Sequence, residues 1–135
     1  MAETPNATAA PRWSAAPCFL VDDVVTTANF YRDKLGFHYE RFWGEPPCFA
    51  IVMRNGSAIM LSQPEHSGLM RPNSVATAGG TWDAYIWIDD ADALYEELSQ
   101  KGVTITEPIC DQAYGCREFT IRDCNGYTLG LGQSL

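Results

Sequence analysis

The chain has 135 residues, 46% of them hydrophobic and 19% charged, a length and balance that suit one globular domain able to bury a core without disulfides. Seventeen acidic side chains against nine basic ones give a net charge of -8, which repels a phosphate backbone and excludes nucleic acid as an expected partner. Five cysteines, an odd number with no C-x-x-C pair, exclude a disulfide framework or zinc ribbon, and no apolar run approaches the length of a membrane span.

Residues 1–15 are rich in Ala, Thr and Pro and show no periodicity, so they read as a mobile arm in which Trp13 is the exception. With no basic stretch leading into an apolar one near Met1, the expected location is the reducing cytoplasm, with no membrane partner. The remainder, 16–135, reads as one folded domain. Cys18-Phe19-Leu20-Val21 is a short apolar run that ends in Asp22-Asp23, a pair able to cap a following helix. Val24, Ala28, Tyr31 and Leu35 recur at three- and four-residue steps, which predicts a helix over Val24 to Leu35 that stops at Gly36. Strands are expected over Phe37 to Trp43, Phe49 to Met53 and Ser57 to Gln63, the last two joined by the hairpin signal Asn55-Gly56. Pro64 to Gly80 keeps no period and reads as a connecting loop.

The second half repeats the first. Ile88-Asp89-Asp90 answers Val21-Asp22-Asp23; a helix from Ala91 to Lys101 ends at Gly102; strands follow near Thr104 to Ile109 and Cys116 to Arg122; and Asn125-Gly126 answers Asn55-Gly56. The offset is 67 residues at Asp22 and Asp89 and 70 at Asn55 and Asn125, so only short gaps separate the two modules, about 16–63 and 81–135. The expected fold class is therefore α+β, two tandem βαβββ modules.

Two such modules resemble the vicinal oxygen chelate superfamily, which contains glyoxalase I, the extradiol dioxygenases and the bleomycin-resistance proteins. The resemblance rests on Leu20-Val21-Asp22-Asp23, on the run Phe30 to Phe37 (FYRDKLGF) and on the run Tyr114 to Gly126 (YGCREFTIRDCNG), and it covers about Ala16 to Gln133. It implies a curved mixed sheet around a concave pocket and frequent pairing into homodimers. Metal-dependent members carry His, Glu or Gln ligands at four pocket positions, which correspond here to Ala16, Met60, Asp83 and Gly130. Only Asp83 has an oxygen donor, whereas a divalent ion needs three or more suitable ligands. The expectation is no metal and no cofactor, which tells against glyoxalase I or extradiol dioxygenase chemistry, since both depend on that metal. His38 and His66 fall outside those positions and read as surface groups. Cys18 and Cys116 read as buried, inert thiols.

Alternation places Asp83, Tyr85 and Trp87 on one face of the fifth strand, with Ala84, Ile86 and Ile88 on the core face. The position of Asp83 assigns the first set to the cavity; an aromatic dimer interface is the competing reading. Glu118, Thr120 and Arg122 likewise share a face, while Arg117 suits an ion pair at the strand entrance. The expected ligand-binding set is Trp43, Phe49, Met60, Asp83, Tyr85, Trp87, Tyr114 and Glu118, with no catalytic residue assigned. Two aromatic faces beside a carboxylate suit a flat or cationic small molecule, which favours a binding protein. The alternatives are a lyase, isomerase or dioxygenase of the same superfamily, or a structural dimer whose cavity is filled by its own side chains.

Overall fold

The computed structural model describes residues 12–77 and 80–135. Most of the expected arm lies outside that range; residues 12–17 form neither helix nor strand, and Trp13 is fully exposed. The first module consists of β1 (Cys18–Leu20), α1 (Val24–Leu35), β2 (Phe42–Trp43), β3 (Phe49–Arg54) and β4 (Ser57–Ser62). A four-residue helix, α2 (Asn73–Ala76), lies in the connection. The second module consists of β5 (Ala84–Trp87), α3 (Ala91–Gln100), β6 (Thr104–Asp111), β7 (Cys116–Arg122) and β8 (Thr128–Ser134). Each module is a four-stranded mixed sheet, ordered β1-β4-β3-β2 and β5-β8-β7-β6, in which the β1–β4 and β5–β8 pairs are parallel. Cys18 pairs with Met60 in one and Tyr85 with Gly130 in the other, so the repeat read from the turns is also the repeat of strand register.

Both long helices begin with the same two devices. Asp23 Oδ1 accepts from the Thr26 N–H at 2.9 Å and Asp90 Oδ1 from the Ala93 N–H at 3.0 Å, as the two Asp-Asp pairs predict. The first free N–H of each helix is taken by a glutamine at the C-terminal end of the last strand of its module: Val24 donates to Gln63 Oε1 and Ala91 to Gln133 Oε1, both at 2.8 Å. Gly36 ends α1 at φ 73°, a left-handed conformation that costs glycine nothing and lets its N–H return to the Tyr31 carbonyl. Asn55 (φ 49°) and Gly56 (φ 88°) make the tight β3–β4 turn.

Two local expectations are corrected. The strand expected over Phe37 to Trp43 is only Phe42–Trp43, preceded by an isolated bridge from His38 to Met53. Between them Tyr39 turns back to α1, donating to Asn29 Oδ1 at 2.6 Å, which pulls the backbone off the sheet. The expected connecting loop contains α2, whose first N–H, at Asn73, donates to Asp83 Oδ1 at 2.8 Å.

One buried cluster holds residues of both modules, among them Val24, Tyr31, Leu35 and Leu61 from the first and Leu98, Phe119, Ile121 and Leu129 from the second. Polar bonds cross the same boundary. Tyr31 Oη donates to Asp123 Oδ2 at 2.7 Å, Asn125 Nδ2 to Thr27 Oγ1 at 2.9 Å, and the Phe19 and Tyr127 rings stack at 4.3 Å. Arg54 grips Glu97 through two bonds of 2.8 and 2.9 Å and also donates to the Leu35 carbonyl at the end of α1. Among the described residues no helix is long and apolar enough to cross a membrane.

The Arg54 hydrogen bonds hold the Glu97 carboxyl below its ordinary value of 4.5. Since the folded value lies below the unfolded one, the pair's contribution is fully present above the ordinary value and is lost as pH falls through the lower folded one. Both side chains are about a third exposed, so solvent screening keeps the contribution to about 0.5–1 kcal/mol. Glu97→Gln is expected to lower stability by that amount in urea melts at pH 7, and by progressively less as the pH is taken down through the lowered Glu97 value.

Candidate ligand-binding faces

In both sheets the helix covers one face. On the uncovered face of the second sheet, register aligns Trp87, Gly132 and Glu118 in one row and Tyr85, Gly130 and Thr120 in the next. The opposite parity, Ile86, Phe119, Ile121, Leu129 and Leu131, packs into the core. Glycine is required in β8 for a packing reason. A Cβ on Gly130 would meet the Tyr85 ring and the Trp82 indole, and one on Gly132 would overlap the Tyr85 hydroxyl. The bare backbone thus lets the Tyr85 ring lie across two strands and reach β7.

There Tyr85 Oη donates to Glu118 Oε1 at 2.7 Å, and Tyr114 Oη donates to Glu118 Oε2 at 2.5 Å. Trp82 Nε1 donates to Thr120 Oγ1 at 3.0 Å. Edge-on contacts join Trp82 to Tyr85 at 4.7 Å and Tyr85 to Trp87 at 5.0 Å. Burial, and then the bond to Glu118, raises the Tyr85 phenol well above its ordinary value. The bond to Glu118, and then burial, pushes the Tyr114 phenol up to about 12. Both hydroxyls therefore remain donors at any ordinary pH. Glu118 is only 4% exposed, and among the described residues no basic side chain pairs with it. On the same face Tyr114, bonded to Glu118, is 63% exposed, and Trp87, two strands away across Gly132, is 64% exposed, so a buried carboxylate lies beside open aromatic surface. Beside Trp82 and Thr120 a shallow cavity of about 650 Å³ opens, lined also by Thr128, Arg122, Glu107 and Ser74. None of the eight expected ligand-binding residues is in its wall.

Asp83 stands just before β5, at the end of this face. Its Oδ1 accepts from the Asn73 N–H and its Oδ2 from the Thr128 N–H, both at 2.8 Å, so both oxygens are engaged by backbone. Its observed work is to tie α2 and β8 to the start of β5.

The first sheet's uncovered face is apolar. Cys18, Met60 and Ile51 form one row, and Leu20, Ser62, Phe49 and Trp43 the next. Trp43 and Phe49 meet edge-on at 5.6 Å, with the Arg41 guanidinium 4.6 Å from the Trp43 ring centre. The structure thus groups Tyr85, Trp87, Tyr114 and Glu118 on one sheet and Trp43, Phe49 and Met60 on the other. Among the described residues no hydrogen bond or aromatic contact joins the two sets. Trp82 and Thr120 were not among the expected residues. The pair Gly130 and Gly132, two apart on β8, is the sequence signal that large side chains lie across that strand.

The residues at the four metal-ligand positions do not fit a divalent ion. Met60 offers a thioether, Gly130 lies under Tyr85 and Trp82, Asp83 is engaged by two amides, and Ala16 has no donor. Among the described residues no group of three or more His, Cys, Asp or Glu is placed to hold a metal. His38 and His66 are both exposed. Cys116 is buried as expected, but Cys18 is exposed, because its parity on β1 is that of the uncovered face. Arg117 pairs with Asp111 at 2.7 Å and Asp92 at 3.0 Å, on the opposite side of β7 from Glu118.

Comparison with known proteins agrees with this architecture. The structure is similar to a glyoxalase-related enzyme from Clostridium phytofermentans, with TM-score 0.72, 17% identity and coverage of 95% of this chain and 99% of that one. It is similar to TioX from Micromonospora sp. ML1, with TM-score 0.69, 16% identity and coverage of 91% and 97%. It is also similar to the bleomycin-binding protein of Streptomyces verticillus in complex with copper(II)-bleomycin, with TM-score 0.63, 25% identity and coverage of 93% and 98%. No curated protein matches the chain. The model of the Glyoxalase/Bleomycin resistance protein/Dioxygenase superfamily matches residues 15–131, nearly all of both modules, and the chain belongs to that family.

Proposed function

We propose that this protein is a metal-free binding protein that sequesters a flat, aromatic, positively charged small molecule. The observation that carries this reading is Glu118, a buried carboxylate with two phenol donors and, among the described residues, no basic partner, on the same sheet face as the exposed indole of Trp87. A cation stacked on Trp87 and Tyr85 supplies the missing positive charge, and its π-face meets aromatic surface. The similar bleomycin-binding protein, solved with its ligand, supports a binding role on this fold.

The pocket is completed by a second copy of the chain. Within one chain the modules pack through their helix sides and the Arg54–Glu97 pair, leaving both sheet faces uncovered. The first-sheet face, with Trp43, Phe49 and Met60, carries apolar area and no carboxylate, which complements the second-sheet face of a partner. Asp83 holds the start of β5 to β8 through the Thr128 amide, and Glu118 supplies the charge of the pocket.

Co-expression of a Trp87→Ala chain with a Trp43→Ala chain tests the arrangement. Each homodimer has two damaged sites, whereas a mixed dimer has one doubly damaged and one intact site, so random pairing restores about a quarter of the sites. Proflavine titration of the co-expressed protein should show that fraction at full affinity. No recovery, or a monomeric mass by light scattering, overturns the shared pocket.

A further inference from the structure

A separate cleft of about 480 Å³ lies between the two modules, within the range of small-molecule sites. Its apolar wall comes from both, with Leu35 and Phe37 on one side and Ile86, Leu94, Leu98 and Leu131 on the other. These belong to the helix side of the sheets, away from Glu118 and Tyr114. Four of them, Leu35, Phe37, Leu98 and Leu131, are core residues, so the cleft reaches the interior.

Its polar groups have one sign to spare. The Arg54 guanidinium is committed to Glu97 and to the Leu35 carbonyl. At the α3 N-terminus, which otherwise attracts anions, the Ala91 and Ala93 N–H groups are already taken by Gln133 and Asp90. Asp89 and Asp90 are exposed and line the cleft, and among the described residues no basic side chain pairs with either. Asn55 and Ser57 add neutral polar groups from the β3–β4 hairpin.

We infer that this inter-module cleft is a second binding site, for an aliphatic ammonium compound whose chain lies among Leu35, Leu94 and Leu98 and whose charged end meets Asp89 and Asp90. Its wall includes none of Glu118, Tyr114 or Tyr85 of the aromatic face. Trp87 alone contributes to both, lining the cleft and standing on the opposite face of β5 from Ile86.

Calorimetric titration of the whole protein with octylammonium chloride at pH 7.5 tests the site. Saturable binding is expected at one site per chain, with hexylammonium roughly fifteenfold weaker, since each buried methylene contributes about fourfold. Octanoate should show no saturable binding. Asp89→Asn with Asp90→Asn keeps the α3 cap and should weaken octylammonium about three- to fivefold, the range for exposed charges. Ala93→Phe, which places a ring in the cleft from α3, should abolish binding with the circular dichroism spectrum unchanged. Glu118→Gln should leave it intact. Absence of saturable binding, equal affinity for octanoate, persistence in Ala93→Phe or loss in Glu118→Gln each overturns the inference. Failure of proflavine to bind would sink the aromatic-face reading and leave this one standing.

Discussion

Glu118→Gln is expected to weaken proflavine, a planar cation, by about thirtyfold or more while changing the affinity of acridine, neutral at pH 8, by less than about threefold. The asymmetry follows from burial. Glu118 is 4% exposed, so a ligand cation that meets it leaves water, and losing one partner of a desolvated charge pair costs about 2–5 kcal/mol. Trp87→Ala removes stacking area whatever the ligand's charge and should weaken both compounds by similar factors. Asp83→Asn is the contrasting variant. Its oxygens accept from the Asn73 and Thr128 amides, so the expected effect is a loss of stability of about 1–3 kcal/mol with charged and neutral ligands affected equally. A spectroscopic readout separates the Glu118 effect from misfolding. The Tyr114 phenol, pushed up to about 12 by that carboxylate, should return toward its ordinary value of 10.0 in Glu118→Gln. Equal losses for proflavine and acridine in Glu118→Gln would remove the carboxylate from recognition.

Tyr31→Ala is expected to cost about 3–5 kcal/mol, the largest stability effect of any change discussed. Tyr31 is fully buried on α1 of the first module, and its hydroxyl reaches Asp123 between β7 and β8 of the second. Tyr31→Phe isolates the polar part, at about 1–3 kcal/mol for a buried acceptor left short of a donor. Its sign with pH is specific. Burial raises the Asp123 carboxyl above its ordinary value, against the lowering effect of the Tyr31 bond and two amide bonds. A raised folded value means that stability is lost as pH rises through it, because the charged form is the costly one. Without the Tyr31 hydroxyl the value rises further, so the cost of Tyr31→Phe should be greater at pH 8 than at pH 4. Paired urea melts measure this, and a larger loss at pH 4 would contradict it. A single transition in Tyr31→Ala would show that the two modules unfold together, whereas two transitions would show that the second survives alone.

The local parts of this architecture were legible in the sequence because their causes are local. Asp23 and Asp90 act three residues along their own helices, Gly36 answers a carbonyl five residues back, and alternation sorts Tyr85 and Trp87 from Ala84 and Ile86. The tandem repeat was legible because each module reuses the same caps and turns at nearly constant spacing. Even local reading failed where a distant partner competed, as when Asn29 draws Tyr39 and shortens β2.

Only the tertiary structure decided who meets whom. Glutamines 63 and 133 cap helices about 40 residues upstream, and Arg54 finds Glu97 across the module boundary; no period or spacing marks these pairs. Alternation put Asp83 and Glu118 on the same kind of face, yet only their neighbours distinguish them. Asp83, at a strand end, meets free amides, whereas Glu118, mid-strand, has its own amide and carbonyl committed to the sheet and meets only phenols. The sequence by itself determined two βαβββ modules and which residues share a face on the fifth and seventh strands, through periodicity and capping. The division of the aromatic residues between two faces, the Tyr85 ring over Gly130 and Gly132, and the burial of Glu118 depend on packing between elements far apart in the chain. A side chain's pKa, exposure and free valence are set by those neighbours, which the chain acquires only on folding.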